Sequence, residues 1–119
     1  MPTPVDGRYV NATAIQGNEF PLLDTFLEDD QTTPADFSAW DFKGEVRDSN
    51  NVLVASFDPG SFTHNSGTGE VFALILAADA EAFTEGAAYR FDVIAYVGTT
   101  RRKTLWYGEL KGRGKVTVV

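Results

Sequence analysis

The sequence contains no cysteine and only one histidine, His64. The lack of cysteine excludes disulfide bonds, thiolate metal sites and a cysteine nucleophile. No apolar run approaches the roughly 18 residues of a membrane-spanning helix, and residues 1–7 have neither the basic leader nor the apolar core of a signal peptide. We therefore expect one protein domain, made in the cytoplasm without membrane contact, whose 119 residues bury a core without cross-links.

Basic residues are scarce in the first three quarters of the chain. Residues 1–89 contain 15 acidic and three basic residues, whereas residues 90–119 contain two acidic and seven basic ones, and the net charge is −7. This asymmetry predicts either a solvated surface or a basic edge that attracts an acidic protein or another copy. Because the acidic body would repel a phosphate backbone, we expect no nucleic-acid partner.

Two segments alternate between apolar and polar residues with the period of a half-buried strand. Residues 40–47 place Trp40, Phe42, Gly44 and Val46 on one face, and residues 89–97 place every second residue from Tyr89 on one face. Residues 71–76 are apolar on both faces, which is typical of a central strand or a strand at an interface. These patterns predict strands that pack as two layers.

The polar segment between residues 77 and 86 separates two of the predicted strands. It predicts one helical turn near residues 78–84, with Phe83 packed under the sandwich and Gly86 ending the turn. Tyr89 follows directly, where β-sandwiches place a tyrosine corner. We expect Tyr89 to be buried, with its hydroxyl bonded to the backbone of residues 80–86.

The predicted fold is all-β: an immunoglobulin-like antiparallel β-sandwich of seven to eight strands with that one helical turn. Two prolines extend the start of the chain, so we expect residues 1–10 to form an N-terminal arm. Residues 11–119 then form a single sandwich domain, and residues 110–119 form a basic C-terminal ribbon.

Five short motifs follow one another along the chain: Gly17-Asn18-Glu19-Phe20, Asp36-Phe37-Ser38-Ala39-Trp40, Gly69-Glu70-Val71, Gly86-x-x-Tyr89-x-Phe91-Asp92-Val93 and Gly108-x-Leu110. In this order they resemble the small immunoglobulin-like domains of tailed-phage virions, such as the N-terminal domain of baseplate upper proteins and short tail or fibre-adaptor proteins. The resemblance covers residues 13–119, although those domains usually have Asp-Leu-Thr-Gly before the tryptophan. It implies a non-enzymatic, multi-copy adaptor of the tail, baseplate or fibre region, located in the virion and bound to other virion proteins and to copies of itself.

The last predicted strand and the ribbon combine arginine, lysine, tryptophan and tyrosine. Trp, Tyr and Arg are the residues most enriched at interface hot spots. We therefore expect a protein interface here, with Trp106 serving alternatively as a core residue. The predicted interface residues are Arg101, Arg102, Lys103, Trp106, Tyr107, Lys111, Arg113 and Lys115.

No segment assembles a catalytic pattern. His64 lies near Ser61, Ser66 and Asp58 within one flexible loop, so we expect a solvated histidine without the rigid frame of a nucleophilic site. The run at residues 28–30 is acidic but lacks the alternating spacing of a calcium loop. We expect no catalytic residue, cofactor, metal or small-molecule substrate.

Two alternative functions stay open at this point. A capsid decoration protein would use the same sandwich on the capsid surface. A carbohydrate-binding module would use Trp40, Trp106 and Tyr107 as a stacking platform. The first requires a high copy number in particles, and the second requires these three side chains on one surface.

Overall fold

The computed structural model of the chain describes residues 7–116, which form eight β-strands and two short helical turns. The helical turns are the 3-10 turn Pro59–Ser61 and α1, Ala77–Ala80. The strands are β1 Arg8–Ile15, β2 Phe20–Thr25, β3 Asp41–Asp48, β4 Leu53–Ser56, β5 Thr63–Asn65, β6 Glu70–Ile75, β7 Ala88–Val97 and β8 Arg101–Arg113. Within residues 7–116, no helix is long and apolar enough to cross a membrane.

The strands form two sheets, which confirms the predicted all-β sandwich. A five-stranded sheet has the order β1-β8-β7-β3-β4, and a three-stranded sheet has the order β2-β6-β5. One described pairing departs from the antiparallel prediction, because β1 lies parallel to β8. These strands are far apart in sequence, so no hairpin turn imposes the antiparallel direction on them.

The core lies between the two sheets and is built from alternate residues of their strands. In β7, Phe91, Val93 and Ala95 are buried as the alternation predicts, and in β3 Val46 is fully buried. The central strand β6 contributes Val71, Ala73 and Ile75 from its inner face. The predicted burial of Phe83 is also confirmed, since its exposed fraction is 0%.

A β-bulge in β8 changes which face its residues occupy. Val93 lies opposite Trp106 and Ile94 lies opposite Thr104, so Leu105 is the extra residue. At such a bulge two consecutive residues oppose a single partner residue and the strand locally changes direction. Leu105 and Trp106 are both buried. Periodicity alone would assign these two neighbours to opposite faces.

Parts of the predicted arm and ribbon lie in strands of the large sheet. Residues 8–10, assigned to the arm, belong to β1, because they pair with residues 106–108 of β8. The Arg8 guanidinium also donates to the Thr25 carbonyl at 2.9 Å and pairs with Asp24 at 3.2 Å. Residues 110–113 of the ribbon belong to β8, with Leu110 buried. Residues 1–6 and 117–119 of these two predicted segments lie outside the described residues.

The segment between α1 and β7 forms a corner around Tyr89. The Tyr89 side chain is 4% exposed, and its hydroxyl accepts a hydrogen bond from the Thr84 amide at 2.8 Å. Its ring packs edge-on against Phe83 with the centroids 5.2 Å apart. This is the contact that defines a tyrosine corner, in which a buried side chain holds the connection between two sheets.

The loop before β3 is held by the carboxylate of Asp30. Its Oδ1 accepts the Thr32 and Thr33 amides at 2.9 and 2.8 Å, and its Oδ2 accepts the Thr33 hydroxyl. These hydrogen bonds, led by the Thr33 hydroxyl, lower the pKa of Asp30 from 3.8 to about 2. A depressed carboxylate pKa supplies stabilisation that is complete above the unfolded value and is lost as the pH falls through the folded value.

We therefore expect the loop at residues 27–34 to loosen between about pH 4 and pH 2. The measurement is an NMR titration of the Asp30 carboxyl carbon and of the Thr32 and Thr33 amides, with a common midpoint near pH 2. In Thr33→Val, which lacks the hydroxyl donor, the midpoint moves upward toward 3.8. An unchanged midpoint in Thr33→Val would show that this hydrogen bond does not stabilise the carboxylate.

Candidate protein-interaction surface

The outer face of the five-stranded sheet is hollowed into a depression of about 570 Å³. Four strands, β1, β8, β7 and β3, supply most of its lining, and Asn51 of the turn between β3 and β4 completes it. We call this surface the concave face. Its principal residues are Tyr9, Lys43, Glu45, Arg47, Arg90, Asp92, Ile94, Arg102, Tyr107 and Glu109.

Two tyrosines form the aromatic part of the concave face. Tyr9 and Tyr107 are neighbours across the β1–β8 pair, and their rings meet edge-on with the centroids 5.5 Å apart. They remain 55% and 44% exposed. The Tyr9 hydroxyl donates to Glu109 Oε2 at 3.0 Å, and this hydrogen bond to a carboxylate raises the pKa of Tyr9. The aromatic pair is therefore fixed in orientation while remaining accessible to a partner.

The charged residues of the concave face include one more base than acid, in a chain whose net charge is −7. Arg47 pairs with Glu45 at 3.0 Å, and Arg102 pairs with Asp92 at 3.5 Å. Arg90 is exposed and forms no ion pair with any residue in the range 7–116.

Arg90 also lies directly opposite Arg47 across the β3–β7 pair. Like charges in directly opposite positions of an antiparallel pair destabilise the sheet. On its other side Arg90 lies opposite Glu109, whose carboxylate accepts the Tyr9 hydroxyl. Arg90 therefore lies between Arg47 on one side and Glu109 on the other.

The structure divides the predicted interface residues among several places. Tyr107 and Arg102 line the concave face. Lys111 and Arg113 are exposed near the C-terminal end of β8. Trp106 is 2% exposed and packs edge-on against Phe26 with the centroids 5.2 Å apart, so it is a core residue and offers no surface to a partner.

The remaining predicted residues contact side chains of their own chain. Arg101 lies over the Trp40 ring at 4.4 Å, a cation–π contact. Lys103 and Lys115 pair with acids, Lys103 with Asp29 at 4.0 Å and Lys115 with Glu81 at 2.8 Å. The predicted basic strand is thus partly neutralised by the acidic body.

The predicted carbohydrate-stacking platform is not formed. Trp106 is buried, Arg101 lies over the ring of Trp40, and Tyr107 lies on the outer face of the large sheet. The bulge at Leu105 turns Trp106 inward, which separates it from its neighbour Tyr107.

His64 is not the solvated loop residue that the sequence predicts. It lies in β5, where its Nε2 accepts the Phe37 amide at 2.9 Å and its Nδ1 donates to the Glu70 carbonyl at 2.9 Å. A backbone N–H only donates and a carbonyl only accepts, so these two contacts select the neutral tautomer with the proton on Nδ1. Both ring nitrogens are therefore engaged by backbone groups.

Of the ten principal residues of the concave face, the predicted interface included only Arg102 and Tyr107, so sequence reasoning missed the other eight. The outward position of those in β3 and β7 follows from the same alternation that predicts the core. Their proximity to Tyr107 does not, because it depends on strand order and on the parallel pairing of β1 with β8.

No protein-family model matches the chain, and no curated protein shows significant similarity to it. Within residues 7–116, no three His, Asp or Glu side chains come together as a metal-binding group. The concave face combines two exposed tyrosines with charged side chains, and it is therefore the candidate binding site in the described part of the chain.

Proposed function

We propose that this chain is a non-enzymatic structural protein of a tailed-phage virion, a multi-copy adaptor in the tail, baseplate or fibre region. Its partners are other virion proteins and copies of itself. The resemblance of its motifs to small immunoglobulin-like virion domains suggests this role, and the two-sheet architecture agrees with it. The observation that carries the proposal is the exposed tyrosine pair beside Arg90 on the concave face.

The composition of the concave face supports binding to protein. Tyrosine and arginine are the residues that concentrate binding energy at interfaces, because each combines a large contact area with specific polar groups. A carboxylate of the partner placed beside Arg90 would gain a charge-assisted hydrogen bond. Since each adaptor contact is repeated in every copy, a small surface is sufficient in a symmetric assembly.

The proposal predicts that the chain is found in purified particles from its source at a fixed copy number, measured by quantitative mass spectrometry. Arg90→Glu should reduce incorporation at least tenfold, a loss that corresponds to about 1.4 kcal/mol at each contact. Arg113→Glu reverses the same charge on the same sheet at a predicted interface residue outside the lining of the concave face, so it separates the concave face from the rest of the predicted interface. We expect it to be incorporated normally.

Three results would contradict this proposal or change it. Absence of the chain from complete particles would contradict the virion role. Equal incorporation of the Arg90→Glu variant would show that the concave face is not the binding surface. A copy number close to that of the major capsid protein would instead support the capsid decoration function.

A further inference from the structure

The four sheet edges of the sandwich differ in how far they are protected from pairing with another strand. An open edge presents unpaired N–H and C=O groups, and proteins block such edges with proline, charge, bulges or very short strands. β2 contains Pro21, β5 has three residues, and β4 has four residues next to a register shift in β3. These three edges are blocked.

The fourth edge, the free side of β1, has none of these protections. β1 is eight residues long without proline, glycine or lysine. Its one charged residue, Arg8, is bonded to Asp24 and to the Thr25 carbonyl. Residues 9–15 are uncharged, and among the described strands only β8 pairs with β1. The structure therefore leaves one long edge suited to strand addition.

The orientation of the backbone identifies the groups on this free edge. The Gln16 amide donates to the Arg113 carbonyl at 2.8 Å, so the backbone groups of Gln16 point toward β8. Backbone groups alternate between the two sides of a strand, and the odd-numbered residues 9, 11, 13 and 15 therefore point outward. The Ile15 carbonyl already accepts the Asn18 amide at 3.0 Å. Tyr9, Asn11 and Thr13 keep both of their groups on the free edge.

We propose that β1 pairs with β1 of a second copy, antiparallel and centred on Asn11, and so joins two five-stranded sheets into one. In this register Asn11 faces Asn11 of the copy, and Tyr9 faces Thr13 in both directions. Directly opposite residues of this type exchange both backbone hydrogen bonds, so the three residues of each strand supply six bonds. In a register centred on Ala12, the Tyr9 amide would instead face the Ile15 carbonyl of the copy. That carbonyl already accepts the Asn18 amide of its own chain.

The side chains also favour a second copy as the partner. Identical strands in this register bring no like charges opposite each other, and Tyr9 beside Thr13 is an aromatic–β-branched pair of the kind that stabilises sheets. A twofold axis perpendicular to the sheet places both concave faces on the same side of the dimer. This inference specifies how copies meet in the proposed multi-copy adaptor and rests on that function only for its biological setting.

The test uses charge at the centre of the pairing. We expect the full-length chain to show a concentration-dependent monomer–dimer equilibrium in analytical ultracentrifugation. Asn11→Lys and Asn11→Asp place like charges on the twofold axis, so each variant should sediment as a monomer, and the two should pair when mixed. Asn11→Gln is the uncharged control and should dimerise as the parent chain does. Asn11 is exposed, so at concentrations low enough for the parent chain to be monomeric, thermal unfolding should be the same for all four proteins.

Hydrogen exchange separates this pairing from other ways of covering the edge. Protection of the Tyr9, Asn11 and Thr13 amides that rises with protein concentration supports the proposal. A parent chain that stays monomeric at all concentrations overturns it, as does protection that is independent of concentration. A dimer that is absent from particles contradicts only the virion function, whereas incorporation of the Asn11→Lys variant into particles contradicts only the role of this pairing there.

Discussion

Trp106→Ala should lower the free energy of unfolding by about 3–5 kcal/mol, the usual cost of deleting a large buried aromatic side chain. Trp106 is 2% exposed, lies opposite Val93 and packs edge-on against Phe26 of the loop that follows β2. Truncation removes this contact between the two layers and leaves a cavity that the adjoining backbone, held at the bulge, closes only in part.

The measurement is denaturant unfolding followed by far-UV circular dichroism. This signal is used instead of tryptophan fluorescence, because the variant lacks one of the tryptophans. Tyr107→Ala is the matched control, since it truncates an aromatic residue at the next position of the same strand. Because Tyr107 is 44% exposed, we expect a loss of about 1 kcal/mol or less. Equal losses in the two variants would contradict the assignment of Trp106 to the core and would reopen its role at an interface.

The second large effect is expected from Gly112→Ala, where β8 passes the tyrosine corner. A Cβ atom at residue 112 would lie 2.0 Å from the Thr84 carbonyl oxygen and 3.1 Å from Tyr89 Cε2. Gly112 also donates to the Ala87 carbonyl at 2.8 Å and accepts from Gly86 at 2.9 Å. Since a backbone oxygen does not rotate away as a side chain does, the added methyl group separates the strand from the corner.

We expect Gly112→Ala to destabilise the protein by about 1–3 kcal/mol, as overpacked positions do. Gly114→Ala is the control two residues along the chain, where the new Cβ would meet Glu85 at 3.6 Å, an ordinary contact. Thermal unfolding of both variants, with hydrogen exchange at the Thr84 amide, provides the measurement. If Gly112→Ala is as stable as Gly114→Ala and keeps the Thr84 amide protected, the close approach of strand and corner is wrong.

The parts of the fold that were predictable are those that depend on neighbours in sequence. The alternation in residues 89–97 identifies the buried face of β7, because successive side chains of any strand point to opposite sides. The same rule identifies Val46 as a core residue. The position of Tyr89 after a glycine-terminated turn predicts its burial and its bond to the preceding segment.

The parts that were not predictable depend on which strands become neighbours. The concave face requires Tyr9 of β1 beside Tyr107 of β8, strands separated by most of the chain. The role of His64 required the position of the Phe37 amide, which belongs to a different segment. Because strand direction and order result from packing of the complete chain, local periodicity does not contain them.

The sequence by itself determined the two-layer β architecture, the inward faces of β3 and β7 and the corner at Tyr89, since each follows from side-chain alternation within a short segment. Only the tertiary structure decided that β1 lies parallel to β8, that the bulge at Leu105 buries Trp106, and that Tyr9, Tyr107 and Arg90 share one surface. The physical reason is that a bulge shifts the face of every following residue, and that strand pairing joins distant segments through backbone hydrogen bonds common to all residue types.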